Sequence, residues 1–565
     1  MKLELYIASI YTLLIVMPVT VAGQGVIVSS GIYMKMTGGT MVLHNSNWVN
    51  NGNYTDQNGT IIINGNTHVS GSSLNTFGDV TVITGSMLSI NSQNFVTING
   101  LLTNNAGTTG FVLQSDSTGT ASLLHNTDNV PATVQRYISG DAEAWHFLSS
   151  PVAAQGISGT WLPSGTYGNG TGYDLYLWNE SNNCWIYKLN LASTINWNTV
   201  HPGSDFTPGR GYLYSVQATN PTKEFAGNLN NGSLTYPLTF NSADAVLKGF
   251  NLVGNPYPSS IDWEAASGWT RDGLVNSGGG YDIWIWNQAA NNYGVFNSAT
   301  GIGTNSITRY IAPMQGFFVK ASVAGNLQMD NDVRVHDGSG WFKNADLNPA
   351  RISLVVQSES DKSFDEALLL FGYSANEPGA VKLFSHVLTA PSLYLSSGNE
   401  KYSVQYLTDT VDNPTVPVMF KPGKDGNYTL RCNLDNDIFN SVTLEDRQMH
   451  YRQDLKSVKM YCFLAAKTDD ANRFVLHFGT ENNSSGNELP ARIYSDGNQL
   501  IIDLKLVRKK TMVMVYDVLG RKLLQQELPG ETLHNLGLNV PRQILVVFLK
   551  NADGSFSRKI VWAGN

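Results

Sequence analysis

Tyr281-Asp282-Ile283-Trp284-Ile285-Trp286-Asn287 repeats the pattern of an earlier run, Tyr173-Asp174-Leu175-Tyr176-Leu177-Trp178-Asn179. Both alternate aromatic and aliphatic residues at period 2, as a half-buried β-strand requires. Two further blocks recur around them in the same order. His146-Phe147-Leu148-Ser149-Ser150-Pro151 returns as Asn251-Leu252-Val253-Gly254-Asn255-Pro256, 105 residues later. Pro208-Gly209-Arg210-Gly211-Tyr212-Leu213-Tyr214 returns as Pro313-Met314-Gln315-Gly316-Phe317-Phe318-Val319, again 105 residues on. Three blocks in one order at nearly one offset mean two tandem aromatic-rich β-units within residues 126–342, about 126–240 and 241–342.

On the N-terminal side, no Lys or Arg occurs between Lys35 and Arg136, and the acids there are Asp56, Asp79, Asp116 and Asp128. Short apolar runs such as Ile61-Ile62-Ile63 and Val80-Thr81-Val82-Ile83 are punctuated by Asn51-Gly52, Asn58-Gly59, Asn64-Gly65 and Asn99-Gly100. Asn-Gly tolerates positive φ, so residues 24–125 read as short strands joined by tight turns, a β-solenoid-like segment with an ordinary sandwich as the rival. On the C-terminal side, Ile352-Ser353-Leu354-Val355-Val356 and Arg473-Phe474-Val475-Leu476-His477-Phe478 belong to a β-sandwich expected over 343–482. Ser484-Ser485-Gly486-Asn487 marks a linker at 483–491, and a small Ig-like sandwich fills 492–565. No segment keeps a 3.6-residue period, so the fold class is all-β and multidomain.

Composition agrees. A chain of 565 residues has room for about four domains. Its 42% hydrophobic content excludes a disordered chain, and its 14% charge with 54 Gly points to a surface kept wet by Asn, Ser, Thr and Gly. Net charge is −8, but Glu488 to Asn565 hold 11 Lys/Arg against 7 Asp/Glu, or +4, leaving −12 on the rest. An acidic body should repel nucleic acid. Met1-Lys2, the apolar run Leu5 to Val19 and the small residues before Gln24 have the parts of a signal peptide (1–23) cut near Gly23-Gln24. Cys184, Cys432 and Cys462 are too few for a disulfide scaffold; one Cys432–Cys462 bridge is compatible with the sequence, and three buried thiols are the plainer reading.

The basic tail contains Val513-Met514-Val515-Tyr516-Asp517-Val518-Leu519-Gly520-Arg521-Lys522-Leu523 and Arg558-Lys559-Ile560-Val561. Here an apolar strand should end at Asp517, Gly520 should supply the turn, and Arg521-Lys522 should open the next strand with exposed cations. These residues resemble the C-terminal type A sorting domain (Por secretion tail) of type IX secretion system substrates of Bacteroidetes. The resemblance implies a sorting signal carried by Tyr516, Asp517, Gly520, Arg521, Lys522 and Lys559. It also implies partners: the type IX secretion machinery, its sortase-like protease and, for attached products, surface lipopolysaccharide. The protein would then be secreted or held on the outer-membrane exterior.

Catalytic signatures are missing. There is no His-Glu-x-x-His, no Gly-x-Ser-x-Gly and no Walker loop, and Gly278-Gly279-Gly280 precedes a strand rather than a helix. His146 is replaced by Asn251 in the second copy, which favours a structural role. Asp174 and Asp282 match between copies and read as turn or strand-edge residues; as glycosidase acids they would need a partner within about 5–10 Å. Asp330-Asn331-Asp332 with Asp337, and Asp435-Asn436-Asp437, could offer oxygens to calcium but lack the full loop spacing, so no cofactor is expected. Trp178, Trp185, Trp284 and Trp286 are the candidates for stacking on glycans, with core packing the stronger alternative. The sequence therefore predicts an exported, non-enzymatic β-protein for adhesion or display, with a carbohydrate-binding or polysaccharide-degrading protein as the rival.

Overall fold

A computed structural model describes residues 5–6, 25–142, 144–162, 174–190, 194–216, 218–336, 350–374, 377–408, 415–435, 439, 441–479, 491–496, 499–517, 521–552 and 555–562. The Gly23-Gln24 cleavage point and the Ser484–Asn487 stretch lie outside these residues. The chain divides into two compact units, Met1–Gly479 and Thr480–Asn565. Strands dominate both, and the single α-helix among the described residues is the one-turn Trp197–Val200.

The first unit begins with a three-walled parallel solenoid. Thr40–His44, Thr60–Asn64, Asp79–Val82 and Leu102–Asn104 stack as one wall, with Val42, Ile62, Thr81 and Thr103 in one row. Tyr33–Met36, Asn53–Asp56, Asn75–Phe77, Phe95–Ile98 and Ser122–His125 form a second wall. Val26–Val28, Trp48–Asn50, Asn66–Gly71, Met87–Ile90 and Phe111–Leu113 form the third. Coil length varies, from 19 residues between paired Ile62 and Thr81 to 27 between Phe95 and Ser122, which is why the turn spacing is uneven in the sequence. Inward-facing Leu43, Ile63, Val82, Trp48, Tyr54 and Phe77 are buried together. Each such side chain contributes roughly 1.5–3 kcal/mol on leaving water.

The Asn-Gly pairs act differently from the expectation of tight turns at positive φ. Only Gly65 of the four has positive φ, at 93°. At Gly52 a Cβ would stand 2.4 Å from the Ser29 carbonyl oxygen, so glycine is required there by the close approach of the coil below. Asparagines of one coil bridge to the next: Asn45, Asn47 and, from the first pair, Asn51 accept through Oδ1 from the backbone N–H of Asn66, His68 and Ser72 at 3.0, 3.2 and 3.0 Å. These amides satisfy donors just outside the stretch Val69–Gly71 that pairs with Trp48–Asn50.

Pro131–Tyr137 closes the stack. It pairs in parallel with Phe111–Leu113 and antiparallel with Thr222–Leu229, and the change of direction starts the first aromatic unit. That unit's sheet runs Trp145–Leu148, Tyr212–Ser215, Leu175–Asn179, Cys184–Tyr187. The second unit repeats the order with Phe250–Gly254, Gly316–Lys320, Gly280–Asn287, Asn292–Asn297. A flanking antiparallel pair accompanies each, Pro131–Tyr137 with Thr222–Leu229 and Leu234–Leu238 with Gly325–Met329. The duplication read in the sequence is thus a duplication of topology.

Residues 351–478 form a sheet whose strands follow one hydrogen-bonded path from Tyr451–Asp454 to Met460–Ala465. All neighbours are antiparallel except Phe364–Phe371 beside Glu400–Leu407. The path doubles over one core, bringing Phe420 within 5.1 Å of Tyr428 and 5.2 Å of Phe463, ring to ring. Cys432 lies in this core and Cys462 is exposed, and no disulfide joins them.

The second unit is a two-sheet sandwich. One sheet holds Arg492–Asp496, Gln499–Asp503 and Leu533–Gly537; the other runs Lys522–Leu528, Thr511–Asp517, Gln543–Lys550, Ser555–Trp562. Ile493, Leu500 and Ile502 from the first and Val513, Val515 and Val547 from the second are fully buried.

Candidate functional site

The tail's larger sheet carries the best-defined constellation. The strand Thr511–Asp517 ends where the sequence places its end, and the Asp517 carboxylate then holds the turn. It accepts from Arg521 N–H at 2.9 Å and from Arg521 Nε at 2.6 Å, while Asp517 N–H donates to the Arg521 carbonyl at 3.0 Å. Asp517 is buried, whereas the Arg521 side chain is 73% exposed, so the pair serves geometry more than Coulomb energy. Gly520, inside this turn, lies outside the described residues. A register shift between Val515 and Tyr516 then sets Lys522 opposite Tyr516.

One cross-sheet row follows: Lys522, Tyr516, Val546, Lys559. Directly paired residues share a face, so three of the six residues implied by the resemblance stand in one line across four strands. At about 4.8 Å per strand the two ammonium-bearing residues are about 14 Å apart. Beside the row, Met514 pairs with Phe548 and Ile544 with Val561 on the same face. Tyr516, Val546, Met514 and Phe548 are half-buried, while Ile544 and Val561 are exposed. Lys522 and Lys559 are exposed at the two ends. The result is an apolar platform with an aromatic centre and cationic ends, suited to an acidic-rimmed, apolar protein surface.

The aromatics of the body are placed otherwise. Ile283 and Ile285 point into the second unit's core, and Trp284 and Trp286 share the opposite face, as period 2 requires. That face is covered. Trp284 and Trp286 pack with Phe147 and Leu213 of the first unit and with Leu368, Leu370 and Tyr406 of the sandwich, at 2% and 8% exposure. Trp284 Nε1 donates to the Val381 carbonyl at 3.0 Å and Trp178 Nε1 to the Phe250 carbonyl at 2.6 Å. Trp178 and Trp185, half-buried, meet edge to face at 5.1 Å in the same layer. The rings join the three body modules, and a sugar has no access to the face of Trp284.

The acids also settle into structure. Asp282 accepts from Ser277 Oγ at 2.5 Å and Asn297 Nδ2 at 2.8 Å, and burial pushes its pKa up to about 7. Asp174 is buried, with its charge felt by Tyr214 and Lys223. Burial lowers the His146 pKa to about 4 and keeps the ring neutral. Asp330 caps its own short turn through Asp332 N–H, and Asp332 accepts from Ser267. Asp435 pairs with Arg351. Asp337, Asn436 and Asp437 lie outside the described residues, and among those described no His, Cys, Asp or Glu cluster is arranged for a metal ion.

Two carboxylates escaped the sequence reading. Glu180 Oε1 accepts from the backbone N–H groups of Asn241, Ser242 and Gly249 at 3.1, 3.0 and 2.9 Å, tying the first unit to the segment that opens the second. Asp365 is paired with Lys382, both fully buried. Neither sits in a motif; each meets partners remote in sequence.

A family model described as "Domain of unknown function (DUF8693)" matches residues 41–478. The chain belongs to this family. The DUF8693 match runs from the solenoid to the last strand of the sandwich, and the tail platform falls outside it. No curated protein matches. Among solved structures, the DUF8693 chain is similar to one titled "Biofilm associated protein - BSP domain", at 8% identity and TM-score 0.16, covering 76% of this chain and 92% of that one. Another, titled "Ca2+-stabilized adhesin helps an Antarctic bacterium reach out and bind ice", shares 10% identity at TM-score 0.10, over 76% of this chain and 99% of that one. No helix among the described residues is long and apolar enough to cross a membrane.

Proposed function

We propose that the protein is an exported surface β-protein of adhesive or display character, whose C-terminal unit is the label read by the type IX secretion machinery. The supporting observation is the row Lys522–Tyr516–Val546–Lys559, which gathers residues of the sorting resemblance onto one face of a unit separate from the body. In this reading the Asp517–Arg521 clamp positions Lys522, and the machinery docks on the apolar centre between the two ammonium groups. The body supplies a rigid stack in which solenoid, twin aromatic units and sandwich share packed cores. After export the sortase-like protease removes the label, and the body is released or joined to lipopolysaccharide. Deleting Ile493 to Asn565 tests this reading: the body should accumulate in the periplasm, and undiminished display on the cell surface would overturn it.

A further inference from the structure

We propose that Asp365 and Lys382 are joined by an amide bond between Asp365 Cγ and Lys382 Nζ, formed by the folded chain itself. Asp365 lies at the start of the strand Phe364–Phe371, and Lys382 directly follows Ala380–Val381. Both side chains are wholly excluded from solvent, and Nζ stands 2.6 Å from Oδ1 and from Oδ2. The carboxyl is held by three more donors: Leu393 N–H on Oδ2 at 2.7 Å, and Asn305 Nδ2 and Glu366 N–H on Oδ1 at 3.1 and 3.0 Å.

The lysine is less well served. An ammonium carries three donors, yet among the described residues its only acceptors are the two oxygens of this one carboxyl. A dry ion pair forfeits hydration that the pairing does not fully restore. Condensation removes both charges at once. One proton passes from Nζ to a carboxyl oxygen, and the freed amine lone pair attacks Cγ. The N–H groups of Leu393, Asn305 and Glu366 receive the charge that develops on the oxygens. A second Nζ proton passes to the departing oxygen, the C–O bond breaks, and water leaves. Three Nζ protons become one amide N–H and the two hydrogens of water, with no oxidant or reductant. The fixed approach of Nζ replaces the encounter that such a reaction lacks in free solution.

The link would close a loop where the sandwich meets the second aromatic unit, since Asn305 comes from that unit and Asn292 donates there to the Phe364 and Pro391 carbonyls. It would staple the joint independently of how the protein is exported. Tryptic mass mapping of the denatured full chain tests it. The expected product is a single peptide, Ser363–Lys401, uncut at Lys382 and lighter by one water. Lys382→Met, confirmed folded by circular dichroism, should carry its full calculated mass. Recovery of Ser363–Lys382 and Leu383–Lys401 as separate peptides of full mass would overturn the proposal, as would loss of water that persists in Lys382→Met.

Discussion

The aromatic strand Gly280–Asn287 of the body and the strand Thr511–Asp517 of the tail are written alike, with large side chains every second residue, yet they meet opposite fates. Trp284 and Trp286 vanish into a joint between three modules, whereas Tyr516 and Met514 keep part of their surface open to water. The difference lies in what flanks them across the sheet. In the body, the neighbours of Trp284 are Val295 and Phe318, both apolar and buried. In the tail, the row through Tyr516 ends in Lys522 and Lys559, whose ammonium groups cannot be buried unpaired. Period 2 reveals which residues share a face; the charges at the ends of the row reveal whether water reaches it.

Truncation separates the two faces most sharply. Trp284→Ala should cost the first unit about 3–5 kcal/mol, since it empties a packed layer, whereas Tyr516→Ala should cost the second unit about 1 kcal/mol or less. Guanidinium unfolding of each variant reads both values, and equal costs would dissolve the contrast. A pH-dependent effect is expected from Asp282. Its folded pKa of about 7 stands above its ordinary value of 3.8, so the native state binds the extra proton between those limits. Stability should therefore fall as pH rises from about 4 to 7 and level off above, by about 4 kcal/mol at most. Asp282→Asn should flatten that slope, and a variant that keeps the wild-type pH profile would assign it elsewhere.

Much of this architecture is legible in the sequence because it depends on local alternation and on repetition. The duplication, the shared face of Trp284 and Trp286, and the strand end at Asp517 are all of this kind. What stays hidden depends on contacts distant along the chain. Asn51 looks like a turn residue, and only the neighbouring coil shows it, with Asn45 and Asn47, holding that coil's backbone. Gly52 is glycine because of the Ser29 carbonyl in an adjacent coil. Asp365 and Lys382 are unremarkable letters until two strands bring them together in a dry core. In the tail, Tyr516, Lys522 and Lys559 are legible as a motif, but their alignment in a single row needs the register shift after Val515.

The platform itself is tested most directly by reversing its ends. Lys522→Glu combined with Lys559→Glu replaces exposed charges, so the melting temperature of the C-terminal unit should stay near that of the wild type. Surface display, measured by antibody labelling of intact cells of a host competent for this secretion route, should collapse, with the full-length chain retained inside. Wild-type display from a folded double variant would contradict the assignment of this face as the export label.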